Sequence, residues 1–199
     1  MKGLLLKDWK TLLKQMKVML AITTLLACVP GTYLSAFALF YAAMMPITAL
    51  AYDERAKWDE LAAMMPYSVK EIVGSKYVLG LLLVLPVLAL SVLSRLIVHS
   101  TPIAGENTMA MLITACLSLI LMSINLPFMF HLGVEKGRII YILLTCGGVV
   151  AGVSYSDHLV AVLDSMMVST MLLIVLLVTA VGLGISYCIS AHIYRVRRG

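Results

Sequence analysis

Charged residues are scarce in this chain: they make up 13% of its 199 residues, whereas 62% are hydrophobic, and the mean hydropathy is +1.02. Soluble domains carry about 25% charged and about 45–50% apolar residues. A chain this apolar cannot hide its hydrophobic side chains in one globular core, which indicates that lipid is its solvent. Its length leaves room for about six spans of ~20 residues and none for a soluble catalytic domain.

Motifs of nucleotide, metal and hydrolytic chemistry are also missing. There is no GxxxxGK[ST] phosphate loop, because residues 133–138 (GVEKGR) are too short and lack the Lys-Ser/Thr ending. There is no HExxH motif and no Ser/His/Asp set that the spans would bring to one depth. Ionisable groups in a membrane core are usually functional, yet the spans hold almost none: Arg95 lies near the end of one, and His192 directly follows another. We therefore expect a non-catalytic chain that binds no cofactor or metal itself, and not an ion-coupled transporter.

Cysteine and net charge add little chemistry. The cysteines form no CxxC pair and lie in apolar stretches, so lipid-facing or core positions are expected for Cys28, Cys116, Cys146 and Cys188. Residues 25–28 loosely resemble a lipoprotein cleavage box, but Leu26 is large for such a box and five apolar segments follow, so no cleavage is expected. The formal charge of +5 fits basic residues retained in cytoplasmic loops better than a nucleic-acid partner.

The apolar runs predict an all-α polytopic membrane protein, with one transmembrane domain over residues 1–199 and six transmembrane helices. The spans are predicted at residues 18–30, 32–51, 77–98, 109–130, 139–153 and 168–191. Three stretches of turn-forming or polar residues separate spans: Pro30-Gly31, residues 99–107, and residues 154–158 with the weakly amphipathic piece 159–167 that follows. Three spans contain proline, whose freed carbonyls neighbouring groups can satisfy: Pro46, Pro86 and Pro127.

The first 17 residues predict an amphipathic helix lying along the membrane surface. At about 100° per residue, one side carries Leu5, Trp9, Leu12, Leu13 and Met16. Lysines that would face anionic lipid or a protein partner occupy the opposite side: Lys7, Lys10, Lys14 and Lys17. We expect Lys7, Trp9, Lys10 and Lys14 at the membrane interface. The alternative that this helix only anchors the first span stays open.

The basic residues predict the orientation. Six spans place the N-terminus, residues 52–76, residues 131–138 and the C-terminus on one side of the membrane. That side then holds fourteen of the fifteen Lys and Arg residues, and only Arg95 approaches the other. The opposite face carries the acids Glu106, Asp157 and Asp164. Because basic residues accumulate in cytoplasmic loops, both chain ends are predicted to be cytoplasmic.

Residues 52–65 predict a short cytoplasmic helix that binds a partner. The helix combines charges of both signs with one Trp and ends at Pro66. Its docking residues are predicted to be Asp53, Glu54, Arg55, Lys57, Trp58, Asp59 and Glu60. Beyond Pro66, Ser68 and Glu71 have the spacing of a capping box at the start of the next helix. An ordinary solvated loop with snorkelling lysines is the open alternative.

Two stretches carry a resemblance to a known family: MKGLLLKDW at the start, and PITALAYDERAKWDELAAMMPYSVKEIVGSKYVLG at residues 46–80. They resemble the small six-span permease subunits of type-2 ABC exporters of Gram-positive bacteria. The branch that is most similar exports antimicrobial or amphipathic toxin peptides, such as the phenol-soluble modulins. The short first external turn, at Pro30-Gly31, departs from the pattern and leaves little room for an external gate domain.

The resemblance implies partners and a location. Residues 52–65 would be the coupling helix, seated in a groove of a separate ATPase subunit, and residues 2–17 would lie along the inner leaflet beside it. Two permease copies would work with two ATPase copies in the bacterial cytoplasmic membrane. ATP and Mg would bind to the ATPase, not to this chain.

The sequence says least about the substrate and about the contacts between two copies of the chain. Fourteen methionines would suit a hydrophobic or amphipathic cargo, although methionine is also common in membrane cores. Gly148 and Gly152 form a GxxxG motif that would permit close helix approach, either at a dimer seam or within one subunit. The leading prediction is an exporter permease; the alternative is an immunity or sensor subunit that binds a peptide without transporting it. A membrane-embedded enzyme is disfavoured by the missing polar constellation.

Overall fold

The computed structural model describes residues 2–29, 32–65, 67–99, 106–154 and 168–198. Over these residues it contains helices and no strand, which confirms the all-α prediction. In chain order the helices are α1 (Lys2–Gln15), α2 (Lys17–Cys28), α3 (Thr32–Arg55), α4 (Trp58–Met64), α5 (Val69–His99), α6 (Glu106–Leu132), α7 (Val134–Ser154) and α8 (Val168–Arg198). The predicted turn at Pro30-Gly31, the break at Pro66, the centre of the 99–107 loop and the 159–167 piece with Asp164 lie outside the described residues.

Four of the described helices are long and apolar enough to cross a membrane: α3, α5, α6 and α8. Helices α1 and α2 are bent by 85° relative to each other at a short break. If the two together form one broken span, they supply a fifth. Helix α2 alone has 12 residues and is about 18 Å long, shorter than the ~30 Å hydrocarbon core. Helix α7, with 21 residues, covers the predicted span 139–153. The count of six spans stays a prediction.

Two predicted helix boundaries differ from the structure. The N-terminal helix ends at Gln15, so that Lys17 opens α2. The segment 52–65 is not one helix, because α3 continues to Arg55 and α4 begins only at Trp58. The physical reason for the second difference is Lys57, whose backbone is left-handed (φ 50°, ψ 39°) and interrupts the helical path. The predicted coupling helix is therefore the last turn of α3 plus the separate helix α4.

The capping box is confirmed at the start of α5. The Ser68 hydroxyl accepts a hydrogen bond from the Glu71 backbone N–H at 3.3 Å, and a Glu71 carboxylate oxygen accepts one from the Ser68 backbone N–H at 3.2 Å. The two groups satisfy N–H donors that the first turn of a helix leaves open. This local motif sets where α5 begins.

Helices α5, α6 and α8 are joined by hydroxyl groups around a proline. Pro127 has no N–H to donate to the carbonyl of Ser123, and the Ser186 hydroxyl of α8 donates to that carbonyl instead. The Ser123 hydroxyl in turn donates to the carbonyl of Gly182 at 2.9 Å. Because the Ser186 proton is used in this way, the Tyr77 hydroxyl donates to Ser186 Oγ at 2.6 Å. These bonds fix α8 against α5 and α6.

Gly80 marks the closest approach of three helices. A Cβ atom added there would lie 2.3 Å from the Met122 thioether of α6 and 3.3 Å from Pro46 of α3. The main core surrounds this crossing and extends to the aromatic pair Phe130 and Tyr194, whose ring centroids are 5.8 Å apart. The core thus ties α8 to α6 down to the end of the bundle where the site described next is built.

Candidate functional site

One end of the bundle gathers six helices, and we call it the charged end. It is formed by the last turns of α3, α6 and α8, the first turns of α5 and α7, and α4. Residues from all six line a cavity of about 30 Å³, among them Asp53, Trp58, Lys76, Val134 and Tyr194. This volume suits a water molecule or two and no larger ligand. The charged end is a packed joint between helices rather than a ligand pocket.

Lys76 is the centre of a buried cluster of ion pairs at this joint. Its ammonium nitrogen lies 2.8 and 2.9 Å from the two carboxylate oxygens of Asp8 in α1, and 2.5 Å from Asp53 Oδ2 in α3. The Lys76 and Asp8 side chains are only 3% and 2% exposed. A buried charge is tolerated only with close opposite charges and hydrogen bonds, and here two carboxylates supply them. The cluster therefore fixes α1 and the end of α3 against α5.

Lys7 extends this cluster to α4. Its Nζ lies 2.7 Å from Asp53 Oδ1 and 3.1 Å from Asp8 Oδ1, and it sits 4.0 Å from the centroid of the Trp58 ring. A cation over the face of an indole ring is attracted by the ring's quadrupole. Lys7 was expected to face lipid or a partner; in the structure it is bound within the chain itself.

The face of α1 that packs against the rest of the chain is not centred on its apolar side. Its buried residues are Leu4, Asp8 and Leu12, four apart, and Met16 continues this row just after the helix ends. Trp9 and Leu13, which belong to the apolar side, are 39% and 50% exposed. The ion pair between Asp8 and Lys76 accounts for this orientation, because it places an acidic residue at the centre of the packed face. Lys10 and Lys14 are exposed, as an interfacial helix requires.

Glu54 joins α3 to the start of α7. Its Oε2 accepts a hydrogen bond from the Val134 backbone N–H at 2.9 Å, one of the donors that the first turn of α7 leaves open. The preceding residue, Gly133, has φ +84°, and a Cβ atom there would lie 3.2 Å from Glu54 Oε1. The turn between α6 and α7 is thus built around this carboxylate.

The predicted docking residues fall into two groups. Asp53, Glu54 and Trp58 make the contacts just described within the chain. Arg55, Lys57 and Glu60 are exposed, and the 3.7 Å ion pair of Lys57 with Glu60 joins side chains that are 76% and 70% exposed. The side chain of Asp59 lies outside the described residues. Exposed apolar groups stand beside the outer charges: Leu61, Met64 (85% exposed) and Met65.

We call these exposed residues the outer face of α4: Arg55, Lys57, Glu60, Leu61, Met64 and Met65. An apolar surface rimmed by charges is typical of a protein-binding site. It is carried by a short helix that rests on the charged end, so a partner bound there would touch the joint between six helices.

The outer surface of the helices has two further features. Gly148 of α7 is exposed, with no atom within 4 Å of an added Cβ, so it is not packed against another described helix; the surroundings of Gly152 lie outside the described residues. Between α5 and α8 runs a groove of about 460 Å³. Lys70 and Glu71 line one end of it, and Val78, Leu81, Leu183 and Gly184 its apolar part.

Metal and thiol chemistry have little support in the part of the chain that the structure covers. No group of three or more His, Cys, Asp or Glu side chains there could hold a metal ion. All four cysteines are free; Cys116 is buried, and the other three are exposed on apolar helices.

Sequence reasoning missed Asp8 and Lys76, the most buried members of the cluster. Asp8 is the single acid among the lysines of the first helix, and this was the available signal that its side chain has a role of its own. Lys76 begins a long apolar stretch, where an unpaired charge would be costly, and so should have suggested an acidic partner.

Comparison with known proteins agrees with this geometry. A family model described as "ABC-2 family transporter protein" matches residues 3–195, nearly the whole chain. No curated protein and no solved structure matches it. The family and the apolar helices together identify a membrane permease that works with an ATPase partner, and permeases of this family are normally non-catalytic subunits. The chain belongs to the ABC-2 transporter family.

Proposed function

We propose that this chain is the permease subunit of an ATP-driven exporter in the bacterial cytoplasmic membrane, and that the ATPase binds to the outer face of α4. The observation that carries the proposal is the position of this face. It combines exposed charges with the exposed side chains of Leu61 and Met64, on a short helix that meets five others at the charged end. Fourteen of fifteen basic residues belong to the segments at this end, which supports a cytoplasmic location for both chain ends.

Transport would follow from movement of this helix. ATP binding closes a dimer of ATPase subunits, and each α4 moves with its ATPase. Because α3 is bonded to both α5 and α7 at the charged end, a displacement of α4 would tilt these helices together. Two permease copies, each with six spans, would then alternate between inward-facing and outward-facing states that differ in affinity for the ATP-bound ATPase.

The second permease copy is proposed to pack against α7 at Gly148. Exposed glycine lets another helix approach closely, and no described residue of the same chain lies within 4 Å of a Cβ added at Gly148. Packing within one subunit, the other use of the GxxxG motif, receives no support from the surroundings of Gly148.

The substrate is proposed to be a hydrophobic or amphipathic molecule, most consistent with a peptide. The groove between α5 and α8 supports this class, because charged side chains line one end and apolar side chains the rest. An amphipathic peptide could place its polar groups beside Lys70 and Glu71 and its apolar face against Leu81 and Leu183.

The experiment reverses charges on the outer face of α4 without disturbing the joint. The variant Arg55→Glu/Lys57→Glu/Glu60→Lys changes only exposed side chains, whereas reversing Asp53 would break the buried cluster. Tagged permease is purified from the native membrane, the associated ATPase is identified by mass spectrometry, and ATP turnover of the complex is measured. Loss of copurification and of stimulated turnover is expected. The control Glu135→Lys/Lys136→Glu changes exposed charges on α7 and should leave both unchanged.

Copurification and stimulated turnover that survive the triple reversal would reject the coupling assignment. The ATPase would then bind elsewhere on the chain. The sensor or immunity role would be favoured if the parent chain itself copurified no ATPase.

A further inference from the structure

Helix α4 is weakly attached to α3 by its own backbone. The two helices are separated by Ala56 and Lys57, and the left-handed Lys57 ends the helical hydrogen-bonding path. Helix α4 has seven residues, and no described side chain caps its first turn. A helix held only through such a break would pivot when pushed, and little of the motion would reach α3.

One side chain from outside the segment spans this break. Lys7 of α1 lies 2.7 Å from Asp53, four residues before the left-handed Lys57, and 4.0 Å from the ring of Trp58, directly after it. The single ammonium group therefore contacts both helices across the break. Its side chain is 23% exposed, so water screens these contacts only in part.

Lys7 is itself held in place by its neighbour in sequence. Asp8 forms two hydrogen bonds to the buried Lys76 of α5, and moving α1 away would leave both charges buried without each other. The buried Leu4 and Leu12 of α1, and Met16 just after it, oppose the same movement. Helix α1 is thus anchored on α5 while its Lys7 reaches the junction of α3 and α4.

We propose that α1 is a brace for the coupling helix, and that Lys7 is the positioning residue that makes α3 and α4 move as one body. The brace rests on the proposed function for its role in transport, but its mechanical part concerns the permease alone. Lys7 acts through Trp58 and Asp53 and does not touch the ATPase. The N-terminal helix is then a part of the energy-coupling device as well as a membrane-surface element.

The mechanical part is tested on purified permease without the ATPase. A spin label is attached at Met64→Cys, on the exposed outer face of α4, after the four native cysteines are replaced, and its mobility is measured by electron paramagnetic resonance in nanodiscs. Lys7→Met should increase the mobility of the label at least twofold, because the cation that bridges the break is lost. Lys7→Arg should restore the parent spectrum, since guanidinium also pairs with carboxylate and stacks on indole. Lys136→Met, an exposed lysine on α7, serves as the control.

The coupling part is tested on the complex with its ATPase. Lys7→Met should reduce the permease-stimulated ATP turnover at least fivefold at an unchanged yield of copurified ATPase, and Lys7→Arg should restore it. If the label is equally mobile in Lys7→Met and in the parent, the proposal that α1 braces α4 is wrong. Loss of copurification would also overturn it, because Lys7 would then be a contact residue. If the label becomes more mobile in Lys7→Met but the parent permease binds no ATPase, the bracing role of α1 is supported and the proposed function is rejected.

Discussion

Asp53 and Glu54 are consecutive residues whose carboxylates bind different helices. Asp53 accepts a hydrogen bond from Lys76 of α5, and Glu54 accepts one from the backbone N–H of Val134 at the start of α7. Successive residues of an α-helix point about 100° apart, so the last turn of α3 reaches two neighbours at once. This turn therefore connects the segment directly before α4 to both α5 and α7.

Removing the central cation should destabilise the permease more than removing the whole cluster. Lys76→Met leaves Asp8 and Asp53 with only the part-exposed Lys7 as a cationic partner, and breaking a buried ion pair in this way costs about 3–5 kcal/mol. In Asp8→Asn/Asp53→Asn/Lys76→Met the three buried charges disappear together and only Lys7, which water reaches, stays charged, so we expect a smaller loss. The measurement is the apparent melting temperature in detergent, with Lys136→Met as the exposed control. A triple variant that melts as low as the single one would contradict the ion-pair explanation.

Gly133 should be intolerant of a side chain for reasons of backbone geometry. Its φ of +84° disfavours L-residues, at a cost of about 1–2 kcal/mol, and the new methyl group would crowd Glu54 Oε1. Gly133→Ala should therefore lower the melting temperature. Gly147→Ala is the matched control, because that glycine lies inside α7 with open space around it, and alanine is the better helix former by roughly 0.5–1 kcal/mol. Equal effects of the two substitutions would refute the assigned role of the turn.

The sequence was sufficient for features that depend on neighbours along the chain. The capping box of Ser68 and Glu71 could be predicted because both groups lie within one turn and bond to each other's backbone. The membrane character and the gathering of the basic segments followed from composition and span order. These patterns survive without any knowledge of how the helices pack.

The site depended on contacts that sequence periodicity does not encode. Asp8 and Lys76 are 68 residues apart, and an apolar pattern assigns an acid to the solvent side, so the true packed face of α1 was missed. Lys57 has a left-handed backbone although it is neither Gly nor Asn, the residues that usually signal one. Tertiary contacts on either side hold it in this conformation, so the local sequence could not predict it. The docking residues were grouped by charge alone, which could not separate Asp53, bound inside, from the exposed Arg55.

The proposed dimer contact predicts an effect of bulk at Gly148. An added Cβ there meets none of the residues that the structure describes, so Gly148→Leu should leave the melting temperature unchanged while it keeps a second α7 from approaching. We expect the yield of crosslinked dimer in membranes to fall at least fivefold. Gly182→Leu, a substitution at an equally open glycine of α8, is the control. Unchanged crosslinking in the Gly148 variant would reject the seam.

The groove between α5 and α8 predicts which glycine of α8 matters for transport. Gly184 lines the groove and Gly182 does not, although neither would place an added Cβ within 4 Å of another group. Gly184→Leu would fill part of the apolar wall without distorting the helix. It should therefore reduce ATP-driven uptake of a fluorescent amphipathic helical peptide into inside-out vesicles, while Gly182→Leu should not. Because both variants carry the same added side chain on the same helix, a difference in uptake at equal ATP turnover reports occupancy of the groove. Equal uptake by the two variants would place the substrate pathway elsewhere.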